Sequence, residues 1–221
     1  MPELDRTRTR VKICGLTRTT DAHAAVDAGC DALGLVLWPE SRRCVTPAIA
    51  AEIGRAVSPR IKVVGVFVDA DVEMIMRWAS RIRLDAAQLC GRMLDGPWAE
   101  LAESLTLIRS IGLADGTVTD SERIACIDDY LLDAATADAP GGTGTTFDWS
   151  RVDAFRSWGR LWLAGGLDAD NVGAAIRAVR PYAVDVSTGV EDAPGRKSPD
   201  KIAAFIAAVR TADAELRQEI R

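Results

Sequence analysis

The sequence predicts an α/β fold of one class, a closed (β/α)8 or TIM barrel with a parallel eight-stranded core, and three observations carry that expectation. Eight short apolar runs rich in β-branched residues recur along the 221 residues. Stretches of helical period separate them. The runs are continuously apolar rather than alternating, as in Lys62-Val63-Val64-Gly65-Val66-Phe67-Val68. That is the pattern of parallel strands covered on both faces. The length suits one barrel domain over residues 1–221, with the polar, charged residues 1–10 as a loosely held arm.

Taken in order, strands are expected at 11–16, 32–37, 62–68, 86–90, 105–111, 130–133, 160–164 and 183–186. Helices are expected at 21–28, 46–57 and 71–81, with a closing helix at 198–221. Asp71 and Asp170 are candidate N-caps, because a short side-chain oxygen can accept an otherwise unpaired helical N–H. An open doubly wound sheet is the competing architecture. Its G-x-G-x-x-G fingerprint is absent after the first strand, where Lys12-Ile13-Cys14-Gly15-Leu16-Thr17 stands instead.

Composition narrows the function classes. With 48% hydrophobic and 27% charged residues the chain is an ordinary globular one, not a disordered one. A net charge of -5 argues against nucleic acid as a partner while leaving room for a local phosphate pocket. The five cysteines, Cys14, Cys30, Cys44, Cys90 and Cys126, form no C-x-x-C pair, and His23 is the only histidine, so no metal is expected. Scattered thiols and the lack of any membrane-length apolar run point to a cytoplasmic protein with no membrane partner.

In a barrel of this kind chemistry sits at the C-terminal ends of the strands. Cys14 ends the first, Asp133 the sixth, and Arg43 lies in the loop after the second. From position alone Cys14 is either a small core hydrophobe or a base or nucleophile, Asp133 either a cap or loop acid or an acid at the barrel mouth, and Arg43 more often a solvated surface charge than a site residue. Glycines follow three late strands, at Gly141-Gly142-Thr143-Gly144, Gly165-Gly166 and Thr188-Gly189. Each could simply turn the chain. The last two, Gly165, Gly166, Thr188 and Gly189, occupy the place where barrels cradle phosphate on unshielded backbone N–H groups. His23 and most of the six tryptophans read as surface or packing residues, with Trp38 a possible lining of an aromatic pocket.

Together these segments resemble the phosphoribosylanthranilate isomerases of tryptophan biosynthesis. The resemblance runs in order from Lys12-Ile13-Cys14-Gly15, Ser41-Arg42-Arg43 and Leu131-Leu132-Asp133 to Gly141-Gly142-Thr143-Gly144-Thr145-Thr146-Phe147-Asp148-Trp149, Ala164-Gly165-Gly166 and Asp185-Val186-Ser187-Thr188-Gly189-Val190-Glu191. It implies an Amadori-type rearrangement of N-(5-phosphoribosyl)anthranilate to 1-(2-carboxyphenylamino)-1-deoxyribulose 5-phosphate, without metal or organic cofactor. By the same resemblance Cys14 is the general base, Asp133 the general acid, Arg43 the holder of the anthranilate carboxylate, and Gly142 and Gly144 part of the substrate loop. The partner implied is a small phosphoribosyl substrate, and the assembly a monomer or homodimer. One departure stands out: where the family often has Q-L-H-G, this chain has Gln88-Leu89-Cys90-Gly91. Two rivals are the aminoaldose isomerase of histidine biosynthesis, which resembles a two-aspartate design, and a silent phosphosugar-binding barrel. Cys14 at the first strand end speaks against the former, and Cys14 with Asp133 against the latter.

Overall fold

The computed structural model describes residues 8–57, 59–92, 95–113, 123–133 and 149–219. Eight parallel strands close into a barrel in chain order, β1 bonding to both β2 and β8. They are β1 Arg10–Cys14, β2 Ala32–Val36, β3 Lys62–Val68, β4 Ala86–Cys90, β5 Thr106–Gly112, β6 Asp129–Asp133, β7 Arg160–Ala164 and β8 Ala183–Val186. Four match the expected bounds. β1 stops two residues early, at Cys14, because Gly15 turns the chain with φ 74° and both Gly15 and Leu16 donate their N–H to the Gly34 carbonyl.

Six α-helices lie among the described residues: α1 Thr19–Ala28, α2 Pro47–Ala56, α3 Val72–Ala79, α4 Trp98–Ser104, α5 Val172–Val179 and α6 Pro199–Glu219. Local chemistry sets their ends. Thr46 accepts the Ile49 N–H and Pro47 opens α2, while Asp71 accepts the Met74 N–H at 2.7 Å to open α3, as expected. Asp170 is not the cap of α5. Asn171 holds that position, and Asp168 Oδ1 instead accepts the N–H groups of Asp170 and Asn171.

The strand period divides the core in two. Val11, Ile13, Leu33, Leu35, Ile53, Ile75, Leu101 and Phe205 pack between strands and helices. Inside the barrel, Ala32, Val64, Ala86, Ile108, Leu131, Trp162, Ala164 and Ala183 form a second, smaller cluster. Every second residue shares a face, so Ala86 is followed inward by Gln88 and Cys90, and Leu131 by Asp133. The interior therefore changes from apolar to polar toward the C-terminal mouth.

Residues 8–10 are not the loose arm the composition suggested. Thr9 is buried and donates both its N–H and its hydroxyl to Asp213 of α6, at 2.9 and 2.7 Å, and Arg8 pairs with Asp31. A local charge count cannot anticipate partners 204 residues away. Residues 1–7 lie outside the described residues.

Candidate active site

Cys14 lies opposite Gly34 in the β1–β2 register, and a Cβ on Gly34 would stand 2.7 Å from Cys14 Sγ and 3.1 Å from Lys12 Cε. The missing side chain makes room for both. Lys12, two residues earlier on the same inner face, is fully buried. Its Nζ donates to Asp185 Oδ2 at 2.8 Å, the register partner on β8, and to Gln88 Oε1 at 2.9 Å on β4. Gln88 Nε2 in turn donates to Cys90 Sγ at 3.6 Å, which draws that thiol into the network. A buried ammonium is tolerated only when paired in this way. Burial works against its charge, yet Asp185 and then Cys14 outweigh that, and the Lys12 pKa lies above the ordinary lysine value.

For Cys14 the balance runs the other way. Burial pushes the thiol up, the Lys12 charge pulls it down, Asp185 pushes it up, and the Lys197 charge and a Lys12 hydrogen bond pull it down; the net is upward. Cys90 is also raised, burial outweighing hydrogen bonds from Ser110 and Gln88.

Arg43 reaches the same place from the loop after β2. An ideal Cβ on Gly15 would lie 2.5 Å from Arg43 Cδ and 3.1 Å from Ser187 Oγ, so the glycine both turns the chain and lets the arginine stem and the loop after β8 converge beside Cys14. Arg43 is not a solvated charge: Nε and Nη2 grip Glu191 in a two-point pair at 2.8 and 2.6 Å. Burial raises the Glu191 carboxyl, but hydrogen bonds from Arg43 and Lys197 prevail and hold it below its ordinary value. Glu191 also accepts from Lys197 Nζ at 2.8 Å and from the Gly195 N–H at 3.1 Å. This clamp is built on a small antiparallel hairpin, β9 Glu191–Ala193 with β10 Arg196–Lys197, that follows the barrel's last strand.

The loops bearing Gly165-Gly166 and Thr188-Gly189 lie side by side. Gly165 and Gly166 take φ 91° and 63°, and Asn171 Nδ2 donates to the Gly166 carbonyl at 2.8 Å, fixing the turn ahead of α5. Thr188 opens a short 3-10 turn, Thr188–Val190. A Cβ on Gly189 would fall 2.0 Å from the Leu167 carbonyl oxygen, whereas one on Gly166 would meet nothing within 4 Å. The two loops therefore touch backbone to backbone beside open space.

Asp133 ends β6, paired with Gly112 of β5 and Ala164 of β7. Ala164 belongs to the inner cluster, so the half-buried Asp133 shares the inward face at the mouth. Gly142 and Gly144 lie outside the described residues. His23 is exposed on α1 with Nε2 3.3 Å from the Ala56 carbonyl. Trp162 packs inside the barrel, its Nε1 donating to Asp129 at 2.8 Å. No cluster of three metal-ligating side chains occurs among the described residues.

Sequence reasoning singled out neither the Lys12–Asp185 pair nor the Glu191–Lys197 clamp. The signal was present in the first: a charge at mid-strand, in a run otherwise covered on both faces, has to find a buried partner.

A family model described as N-(5'-phosphoribosyl)anthranilate isomerase matches residues 11–208. The chain is 44% identical to the protein of that name from Citrifermentans bemidjiense, over 90% of this chain and 96% of that one. With the one from Chromohalobacter salexigens it shares 47%, over 91% and 94%. Among solved structures, the phosphoribosyl anthranilate isomerase of Thermotoga maritima superposes with a TM-score of 0.82 at 38% identity, covering 92% of this chain and 99% of that one. One crystallised with reduced 1-(o-carboxyphenylamino)-1-deoxyribulose 5-phosphate gives 0.77 at 37% identity, with the same coverage.

Proposed function

The chain belongs to the N-(5'-phosphoribosyl)anthranilate isomerase family of tryptophan biosynthesis, and on that premise we propose that Cys14 and Asp133 carry the two proton transfers of its Amadori rearrangement. The observation that supports this most is at Gly15, the residue after Cys14, whose missing side chain lets the Arg43 stem and Ser187 of the loop after β8 come together beside that strand end. In the reaction, the carboxylic acid of Asp133 gives its proton to the furanose oxygen as the C1–O bond breaks and the nitrogen lone pair forms an iminium. Cys14, as thiolate, then takes the proton from C2. The C2–H electrons become the C1–C2 double bond, the nitrogen recovers its pair, and the enolamine tautomerises to the ketone. Each positioned transfer contributes about 10²–10⁴ in rate.

The remaining groups bind. Glu191 occupies one edge of Arg43 and leaves Nη1 for the anthranilate carboxylate, which a planar guanidinium suits. The Gly165-Gly166 and Thr188-Gly189 loops take the phosphate, and Gly142 and Gly144 the substrate's other side. The chain works as one barrel unit over residues 1–221, in the cytoplasm, as monomer or homodimer. No described helix is long and apolar enough to cross a membrane.

Loss of phosphoribosylanthranilate fluorescence on adding purified protein tests the activity. Inorganic phosphate should inhibit it competitively and Gly189→Ala should weaken that inhibition, since the new methyl would force the Leu167 carbonyl away. Absence of turnover overturns the function, and non-competitive phosphate the cradle.

Arg43→Ala should cost carboxylated product analogues about 2–5 kcal/mol of affinity, the range for stranding one partner of a desolvated pair. Calorimetry with and without the carboxylate on the analogue checks this. Equal losses for both would remove Arg43 from the carboxylate site.

A further inference from the structure

We propose that Lys12 is the counter-ion of the Cys14 thiolate, a positioning residue whose fully buried ammonium is shared between that sulfur, Asp185 and Gln88. Its bearing on turnover rests on Cys14 being the base. An ammonium has three N–H donors and no acceptor. Asp185 Oδ2 and Gln88 Oε1 take two of them, at 2.8 and 2.9 Å, which leaves one for the sulfur on the same inner face two residues along β1. Both side chains crowd the space above Gly34, within 3.1 Å of where its Cβ would stand. The Asp185 carboxylate, 2.8 Å away on the neighbouring strand, is the strongest influence favouring the ammonium and, with Cys14, outweighs its burial.

The other charged or titratable groups around the sulfur are weaker or opposed. Lys197 supports the thiolate from the hairpin beyond β8, and Arg43 faces it from the loop after β2 but is committed to Glu191. Asp185 on β8 opposes the thiolate, and Cys90 on β4 is a second thiol of raised pKa. Among the groups acting on Cys14 the Lys12 charge is the largest that favours the anion. When Cys14 ionises its proton leaves to solvent, and Lys12 offers its third N–H to the thiolate while keeping its bonds to Asp185 and Gln88.

The test is the pH dependence of Cys14 alkylation by iodoacetamide, read on the peptide bearing that residue, in the parent and in Lys12→Gln, Lys12→Arg and Lys12→Gln with Asp185→Asn. The double variant removes both charges and so avoids a stranded carboxylate if Lys12→Gln alone folds poorly. In Lys12→Gln, loss of the ammonium should raise the alkylation midpoint by about one pH unit or more and slow the reaction about tenfold or more at pH 7, and in the double variant, where the opposing Asp185 charge goes too, the rise should be smaller but in the same direction. The ascending limb of kcat/KM should move with it while product-analogue affinity stays within about twofold. Lys12→Arg should lie near the parent. A midpoint unmoved in the folded variants overturns the pairing even if Cys14→Ala is inactive. A midpoint that moves while Cys14→Ala turns over normally supports the pairing and removes Cys14 as the base instead.

Discussion

Asp133→Asn is expected to fold and to bind a product analogue like the parent, yet to lose about a hundredfold or more in kcat. Asparagine keeps the shape and size of the side chain at the end of β6. The backbone is untouched, so the ladder to Gly112 and Ala164 and the bond from the Leu113 N–H to the Asp133 carbonyl at 3.0 Å remain. The transferable proton is lost. Ring opening then has to expel an alkoxide without protonation, and general acid catalysis of that kind contributes about 10²–10⁴. Because the proton moves only on the way to the transition state, kcat and kcat/KM should fall together. Steady-state fluorescence kinetics and a thermal melt on the same sample give the measurement. Turnover near the parent's would return Asp133 to the bland reading of a loop acid.

The barrel was legible because its signal is long and redundant. Strands such as Lys62–Val68 and Arg160–Ala164 are apolar along their length, and a sheet covered on both faces demands that repeatedly. Strand ends gave Cys14 and Asp133 for the same topological reason. What surrounds them was not legible, since it depends on closure. Lys12 and Asp185 are far apart in sequence and become neighbours only when β8 pairs with β1. Arg43 looked like a surface charge because its partner, Glu191, follows the last barrel strand. The boundary of β1 was missed by a different mechanism: Leu16 fits the apolar run, but Gly15 in the left-handed region leaves the strand first.

The second large effect is expected at Cys14. Cys14→Ala should lose about a hundredfold or more in kcat while still binding product analogue, because a methyl cannot accept the C2 proton. In the native chain, alkylation of Cys14 should abolish activity in step with its own modification, and bound phosphosugar analogue should slow that modification. The order in which thiols react discriminates here. Cys44 is only half-buried, with a thiol raised by burial alone, and should be modified early without loss of activity. Cys30 is buried, and its pKa is pushed up to about 12 by burial and then by Asp31, so it should react later than Cys44. Cys14 differs from both in having the Lys12 charge beside it. Burial leaves its thiol above the ordinary value despite Lys12, so in the ligand-free enzyme the thiolate fraction, the alkylation rate and kcat/KM should all climb as pH rises through that pKa. Mass spectrometry of the alkylated peptides at partial inactivation, set against residual turnover, supplies the correspondence. Activity that tracks Cys90 instead would shift the base to the thiol that Gln88 joins to the same lysine.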